Sequence, residues 1–249
     1  MNTVSKAREP GDWWNSIALG IVAVVCFLMI WLNACASGSP DAAKTNNAVT
    51  TTTASSGATT EESLPASLAN AGEYGENVYD SAKVGDWKNA VVKLAALKDA
   101  IKIARTNVGK QSAAVDRLDT NVAALDRAVN AKDRHAAMRE ANQVTFDVAN
   151  MTTAYKLKVP VEVTKLDYYG RELEVWAQAD DGNKLQATAR EMRRTWDSLR
   201  PSIEIKSATV AKKFDALLAQ VESARTPAAY VREATLVLDE VDNLEKLFA

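Results

Sequence analysis

The sequence predicts an all-α fold, and three observations carry that expectation. After Leu64, apolar residues recur at alternating steps of three and four, the period of one buried face on a helix. No alternating strand pattern of comparable length occurs. Turn-forming residues interrupt the pattern at near-constant intervals, as in a chain of repeated helical hairpins.

A first helix after Leu64 and a fifth after Pro160 carry the weakest stripes. Trp87, Ala90, Leu94, Leu97, Ile101 and Ala104 form the second seam, and Val115, Leu118, Val122, Leu125 and Val129 the third. The fourth runs Ala137, Ala141, Val144, Val148, Met151, Tyr155, and the sixth Leu185, Ala189, Met192, Trp196, Leu199. Val210, Phe214, Leu217, Val221 and Ala224 make the seventh. Tyr230, Ala234, Val237, Val241, Leu244 and Phe248 close the chain. Such 3-4 spacing suits antiparallel bundle packing.

Breaks fall at Gly85-Asp86, Lys132-Asp133, Asp180-Asp181-Gly182 and Thr226-Pro227, each supplying a cap or turn residue to the helix that follows. From Asp86 to Asp133 to Asp181 to Pro227 the steps are 47, 48 and 46 residues. Further breaks are predicted at Thr106-Asn107-Val108-Gly109, Val159-Pro160 and Arg200-Pro201, because glycine eases helix termination and proline opposes continuation. At an offset of 95, Tyr74-Gly75 aligns with Tyr169-Gly170, Val78 with Leu173, Ala82 with Ala177 and Asp86 with Asp181. Two similar halves follow, residues 64–158 and 159–249, each of four helices. The expected architecture is two up-and-down four-helix bundles in tandem, with an α-solenoid of four stacked hairpins as the alternative.

The first 35 residues differ in kind. Trp13 to Leu32 is a run of 20 residues without a charge, long enough as a helix to match the roughly 30 Å hydrocarbon layer of a bilayer. Lys6 and Arg8 precede it, which predicts a cytoplasmic N-terminus and an exported remainder. The run ends in Leu32-Asn33-Ala34-Cys35, followed by small and polar Ala36-Ser37-Gly38-Ser39-Pro40. This stretch resembles a bacterial lipobox, and the resemblance implies cleavage before Cys35 and acylation of that cysteine. In the competing reading nothing is cut, and Trp13, Trp14 and Trp31 mark the headgroup levels of a retained anchor. Both readings tether the chain to a membrane.

Residues 36–63 are rich in Ala, Ser, Thr, Gly and Asn, too poor in apolar bulk to offset their ordering entropy. A flexible stalk is expected, with an r.m.s. span of about 30 Å. Cys26 and Cys35 are the two cysteines of the chain, so the exported part carries no disulfide and depends on packing.

Charge and chemistry narrow the function. With 30 basic and 32 acidic residues the formal charge is −2, which offers no field for a polyanion, and nucleic acid is not an expected partner. One histidine, His135, predicted as an exposed first-turn residue, cannot supply the paired Glu-x-x-His ligands of a di-iron bundle. No Cys-x-x-Cys-His, Walker loop, Gly-x-Ser-x-Gly or His-Glu-x-x-His occurs, so neither cofactor, metal nor enzymatic activity is expected. Asp116, Asp119, Asp239 and Asp242 are expected to pair with Arg117, Arg127 and Lys246 on solvated faces.

Two clusters remain as a ligand or partner face. Arg190, Arg193 and Arg194 share one side of a helix and suit a carboxylate or phosphate, unless Glu191 and Asp197 neutralise them. Tyr168, Tyr169 and Trp176, with Trp196 on the next helix, line either a groove for a flat ligand or simply core. The expectation is an exported, membrane-tethered helical binding or scaffold protein of the bacterial envelope with a protein partner. A small-ligand sensor and an accessory subunit of a membrane enzyme complex are the alternatives.

Overall fold

The computed structural model describes residues 63–107 and 112–248. The apolar run, the lipobox-like segment with Cys35 and nearly all of the stalk lie outside the described residues, as does part of the break at Thr106–Gly109. Within them the chain is all-α. Its helices are α1 (Ala66–Val84), α2 (Trp87–Asn107), α3 (Ser112–Ala131), α4 (Arg134–Thr152), α5 (Val161–Gln178), α6 (Gly182–Lys206), α7 (Ala208–Ser223) and α8 (Pro227–Lys246). An isolated parallel bridge joins Ser63 to Lys156. None of these helices is long and apolar enough to cross a membrane.

Three of the joints are built alike. At Gly85 the backbone turns left-handed (φ 76°), its N–H donates to Ala82 O, and Asp86 N–H donates to Ser81 O. Lys132 (φ 54°) and Asp180 (φ 53°) repeat the turn, with the next residue's N–H again reaching back into the finished helix, Asp133 to Ala128 O and Asp181 to Trp176 O. The aspartate that follows then caps the next helix: Asp86, Asp133 and Asp181 each accept from the backbone N–H three residues on, at 3.0 Å. Thr226 caps α8 in the same way through Ala229 N–H. A side chain at left-handed φ costs about 1 kcal/mol that glycine avoids. Lys132→Gly is therefore expected to raise unfolding stability by about that amount, read from urea midpoints; an unchanged or lowered midpoint contradicts it.

The break predicted at Arg200-Pro201 is not there. Pro201 lies inside α6, which continues to Lys206. Proline forfeits one backbone hydrogen bond, but Ile203 beyond it is fully buried and extends the apolar stripe. Arg200 also ties this part of α6 to its surroundings, reaching Glu204 at 2.7 Å and Asp215 of α7 at 3.0 Å. The true joint is Ser207, extended at φ −159°, which ends α6 and caps α7 by accepting from Val210 N–H.

The buried residues fall into two clusters. Leu68, Tyr79, Leu97, Leu125, Met138 and Val148 belong to one, drawn from α1–α4 together with Val175 of α5. Leu166, Leu173, Met192, Trp196, Phe214 and Val237 belong to the other, drawn from α5–α8. Helix α1 packs on α2 and α4, α5 packs on α6 and α8, and α4 meets α5. Trp176 packs against both clusters.

The internal repeat has a physical counterpart. A β-carbon on Gly75 of α1 would fall 2.6 Å from Thr145 Oγ1 of α4, and one on Gly170 of α5 would fall 2.7 Å from Leu238 Cδ2 of α8. Each glycine thus permits the first helix of its half to approach the fourth. The offset is 95 between α1 and α5 and 93 between α4 and α8. A local ion pair follows the second offset: Arg139–Glu140 on α4 and Arg232–Glu233 on α8, both at 2.6 Å.

Candidate functional site

The residues singled out from sequence do not converge on one face. Arg193 donates to both oxygens of Glu222 on α7, at 2.8 and 3.0 Å, and Asp197 lies 3.9 Å away. Arg194 holds Glu191 at 2.5 Å. Arg190 lines a cavity of about 430 Å³ with Gln186, Glu222, Arg225 and Tyr230. Trp196 is fully buried, stacked on Phe214 at 4.3 Å with its indole N–H donating to Asp215. Tyr168 and Tyr169 do meet, 5.1 Å apart, together with Phe146 of α4, which the sequence reading missed. The Tyr169 hydroxyl lies against Thr195, close to Arg194 and Glu191.

Trp176 belongs to the seam between α4 and α5. Its indole N–H donates to Glu172 at 2.5 Å, Lys184 stands 5.3 Å over its ring, and His135 approaches its edge. His135 is half-buried, with Nε2 3.2 Å from Val175 O, and is not the exposed first-turn residue that its position beside a cap suggests. It lies here because α5 packs across the start of α4. Asn142, wholly buried, donates to Tyr168 O at 3.1 Å and to Glu172 at 3.4 Å, while its own Oδ1 has no partner. Burial raises the Glu172 carboxyl above its ordinary value.

Surface pairing also differs from expectation. Asp119 is held by Arg105 of α2, and Arg117 reaches across to the buried Asp147 of α4 at 3.0 Å. Asp147 accepts from Asn121 as well, at 2.5 Å. These partners lie on neighbouring helices, so spacing along one helix does not disclose them.

The densest electrostatic arrangement joins α1 to α5. Arg171 donates to Asp167 at 2.7 Å and to Asp80 at 3.0 Å, with Glu76 at 3.8 Å and the Tyr79 ring 4.9 Å beneath the guanidinium. One turn on, Glu174 accepts from Tyr79 at 2.8 Å and pairs with Lys83 at 2.7 Å. More carboxyls surround the guanidinium than it can neutralise, and with Asp242 and Glu245 of α8 nearby their mutual repulsion favours keeping protons on them. Burial, reinforced by Asp167, pushes the Glu76 carboxyl up to about 8, and burial likewise raises Asp167 and Glu245. Among the described residues no three His, Cys, Asp or Glu side chains converge as a metal cage.

These shifts share one sign. A carboxyl whose folded value lies above its unfolded value near 4 contributes stability that is complete below that value and lost as pH rises through the folded one. Glu76, Asp147, Asp167, Glu172 and Glu245 all belong to this class. The melting temperature is therefore expected to fall between pH 5 and pH 8, and a rise over that interval in a thermal scan would contradict the assignment.

Next to this network, α1, α4 and the connector after α4 enclose a groove of about 400 Å³. Its walls are largely apolar, including Leu64, Leu68, Val148 and Val159, and Glu73, Glu76 and Lys158 supply the charge around it. Ser63, bridged to Lys156, directly precedes Leu64 of the groove's lining. Volume and lining both suit a small ligand. Compared with protein-family models, curated proteins and solved structures, the chain matches none of them.

Proposed function

We propose that this chain is an exported, membrane-tethered helical binding module of the bacterial cell envelope, working by docking a partner and not by catalysis. One observation carries the reading: 20 uncharged residues from Trp13 to Leu32 close on Leu32-Asn33-Ala34-Cys35 and pass directly into a Ser/Thr/Ala-rich stalk. Acylation of Cys35 with two or more chains attaches the helical body stably, where one chain would hold it only marginally. About 28 residues of stalk let that body reach a neighbour some 30 Å from the bilayer.

Intact-mass measurement of membrane-extracted protein tests the attachment, with a chain starting at acylated Cys35 as the expected result. Recovery of the full-length product in the soluble fraction would overturn it. Crosslinking in cells is expected to join the helical body to a defined envelope protein, and crosslinks confined to the monomer count against a protein partner.

A second reading, a small-ligand binder, is favoured by the groove between α1 and α4. The neutralised state of Arg193 and Arg194 makes that groove a better candidate than the arginine face for holding a ligand.

A further inference from the structure

The groove is a departure from the chain's own repeat. Under the offsets that pair Gly75 with Gly170 and Thr145 with Leu238, Gly72 corresponds to Asp167, Ala149 to Asp242 and Thr152 to Glu245. The walls beneath are alike in both halves: Leu68 and Val148 in one, Val163 and Val241 in the other, all buried. In the second half the overlying positions hold large acidic side chains, with Asp167 bonded to Arg171. In the first half the same positions hold glycine, alanine and threonine, and the space is open.

Gly72 is the telling residue. Glycine inside a helix is disfavoured relative to alanine, and Gly75 has a reason to be there in the close approach of Thr145. At Gly72 an added β-carbon would meet only Val148 Cγ1, at an ordinary 3.7 Å. Packing does not require glycine at this place, whereas the open groove does, because any longer side chain would enter it. The charge at its edge has a sign. Glu73 and Glu76 line the groove, and Asp80, Asp167 and Glu245 lie behind Glu76. The Arg171 guanidinium is already committed to Asp167 and Asp80, and Lys158 is the basic residue among the lining side chains.

We propose that this groove binds an organic cation with an apolar tail, of the alkylamine class, its tail along Leu68, Gly72 and Val148 and its ammonium at Glu73 and Glu76. This rests on the small-ligand reading of the binding module and is independent of how the chain is anchored. The test uses full-length protein in lipid nanodiscs and an octylamine carrying a mid-chain diazirine, with adducts mapped by peptide mass spectrometry. Adducts are expected on the peptides holding Leu68–Glu76 and Val148–Thr152, competed by octylamine and not by octanoate. Gly72→Leu is expected to cut that labelling by about tenfold or more, the scale on which an apolar pocket rejects a misfit. Labelling is carried out at pH 9, where the Glu76 carboxyl is ionised and the alkylamine still protonated, and Glu76→Gln is expected there to weaken competition by octylamine with the walls intact.

Gly72→Ala serves as the folding control, and its melting temperature is expected to match or exceed that of the wild type. Should Gly72→Leu fail to fold, Glu76→Gln still decides. Adducts confined to Trp13–Leu32, equal competition by octanoate, or a Glu76→Gln variant indistinguishable from wild type would each overturn the proposal. A chain recovered from the soluble fraction would instead overturn the tethering and leave this test standing.

Discussion

Arg171→Met is expected to lower unfolding stability by about 3–5 kcal/mol at pH 8, the range found when one partner is removed from a buried ion pair. The Arg171 side chain is 12% exposed and its closest partner, Asp167, 15%. Methionine fills much of the volume, so the loss is electrostatic: Asp167 and Glu76 are left facing each other, with Glu245 and Asp242 behind them. The same carboxyls supply the diagnostic. Without the guanidinium their proton affinity rises further, so more of them are protonated in the folded state at pH 5 than at pH 8. The variant is expected to recover part of its deficit at pH 5, and its stability to fall more steeply with rising pH than that of the wild type. Lys83→Met makes the comparison, because Lys83 is 43% exposed and Glu174 keeps the Tyr79 hydroxyl, so a smaller loss is expected. Urea unfolding of both variants at the two pH values decides the matter. Equal deficits for Arg171→Met at pH 5 and pH 8 would show that packing, and not charge, is what Arg171 contributes.

What the sequence disclosed and what it hid follow from the range of the interactions. Helix class and the Asp86, Asp133, Asp181 and Thr226 caps were legible because burial period and capping are local, set within three or four residues. Proline at 201 misled because its local cost is outweighed by Ile203 in the core and by Arg200 gripping Asp215 on another helix. Ser207, with Val210 three residues on, was the local signal that marked the actual joint. The repeat at an offset of 95 was visible in Tyr74-Gly75 and Tyr169-Gly170. It was not visible that Glu76 and Arg171, equivalent under that offset, meet across the junction of α1 and α5. Phe146, Asn142 and Glu172 escaped notice for the same reason: each is defined by a partner on a different helix. The groove could be read only after α4 was placed on α1, since Gly72 is unremarkable until its surroundings are known.

Trp196→Ala is expected to cost about 3–5 kcal/mol, the range for removing a large aromatic from a core. The indole is fully buried in the α5–α8 cluster against Phe214, and its N–H donates to Asp215 Oδ1 at 2.7 Å. Sequence left Trp196 as part of either a ligand or partner face or simply core, and complete burial now separates two outcomes. If Trp196 acts only through packing, Trp196→Phe keeps the stack on Phe214 and loses chiefly one hydrogen bond. Asp215 remains bonded to Arg200 at 3.0 and 3.1 Å, so the expected loss is about 1–2 kcal/mol. Trp196→Phe should then leave the proposed crosslinking to an envelope partner at the wild-type level, provided the temperature stays well below melting. Tyr169, half-buried beside Thr195 and near Arg194, is the informative contrast, because it reaches the surface that Trp196 does not. A Trp196→Phe variant that melts like the wild type yet loses its partner would reinstate the indole as a recognition element and refute the packing assignment.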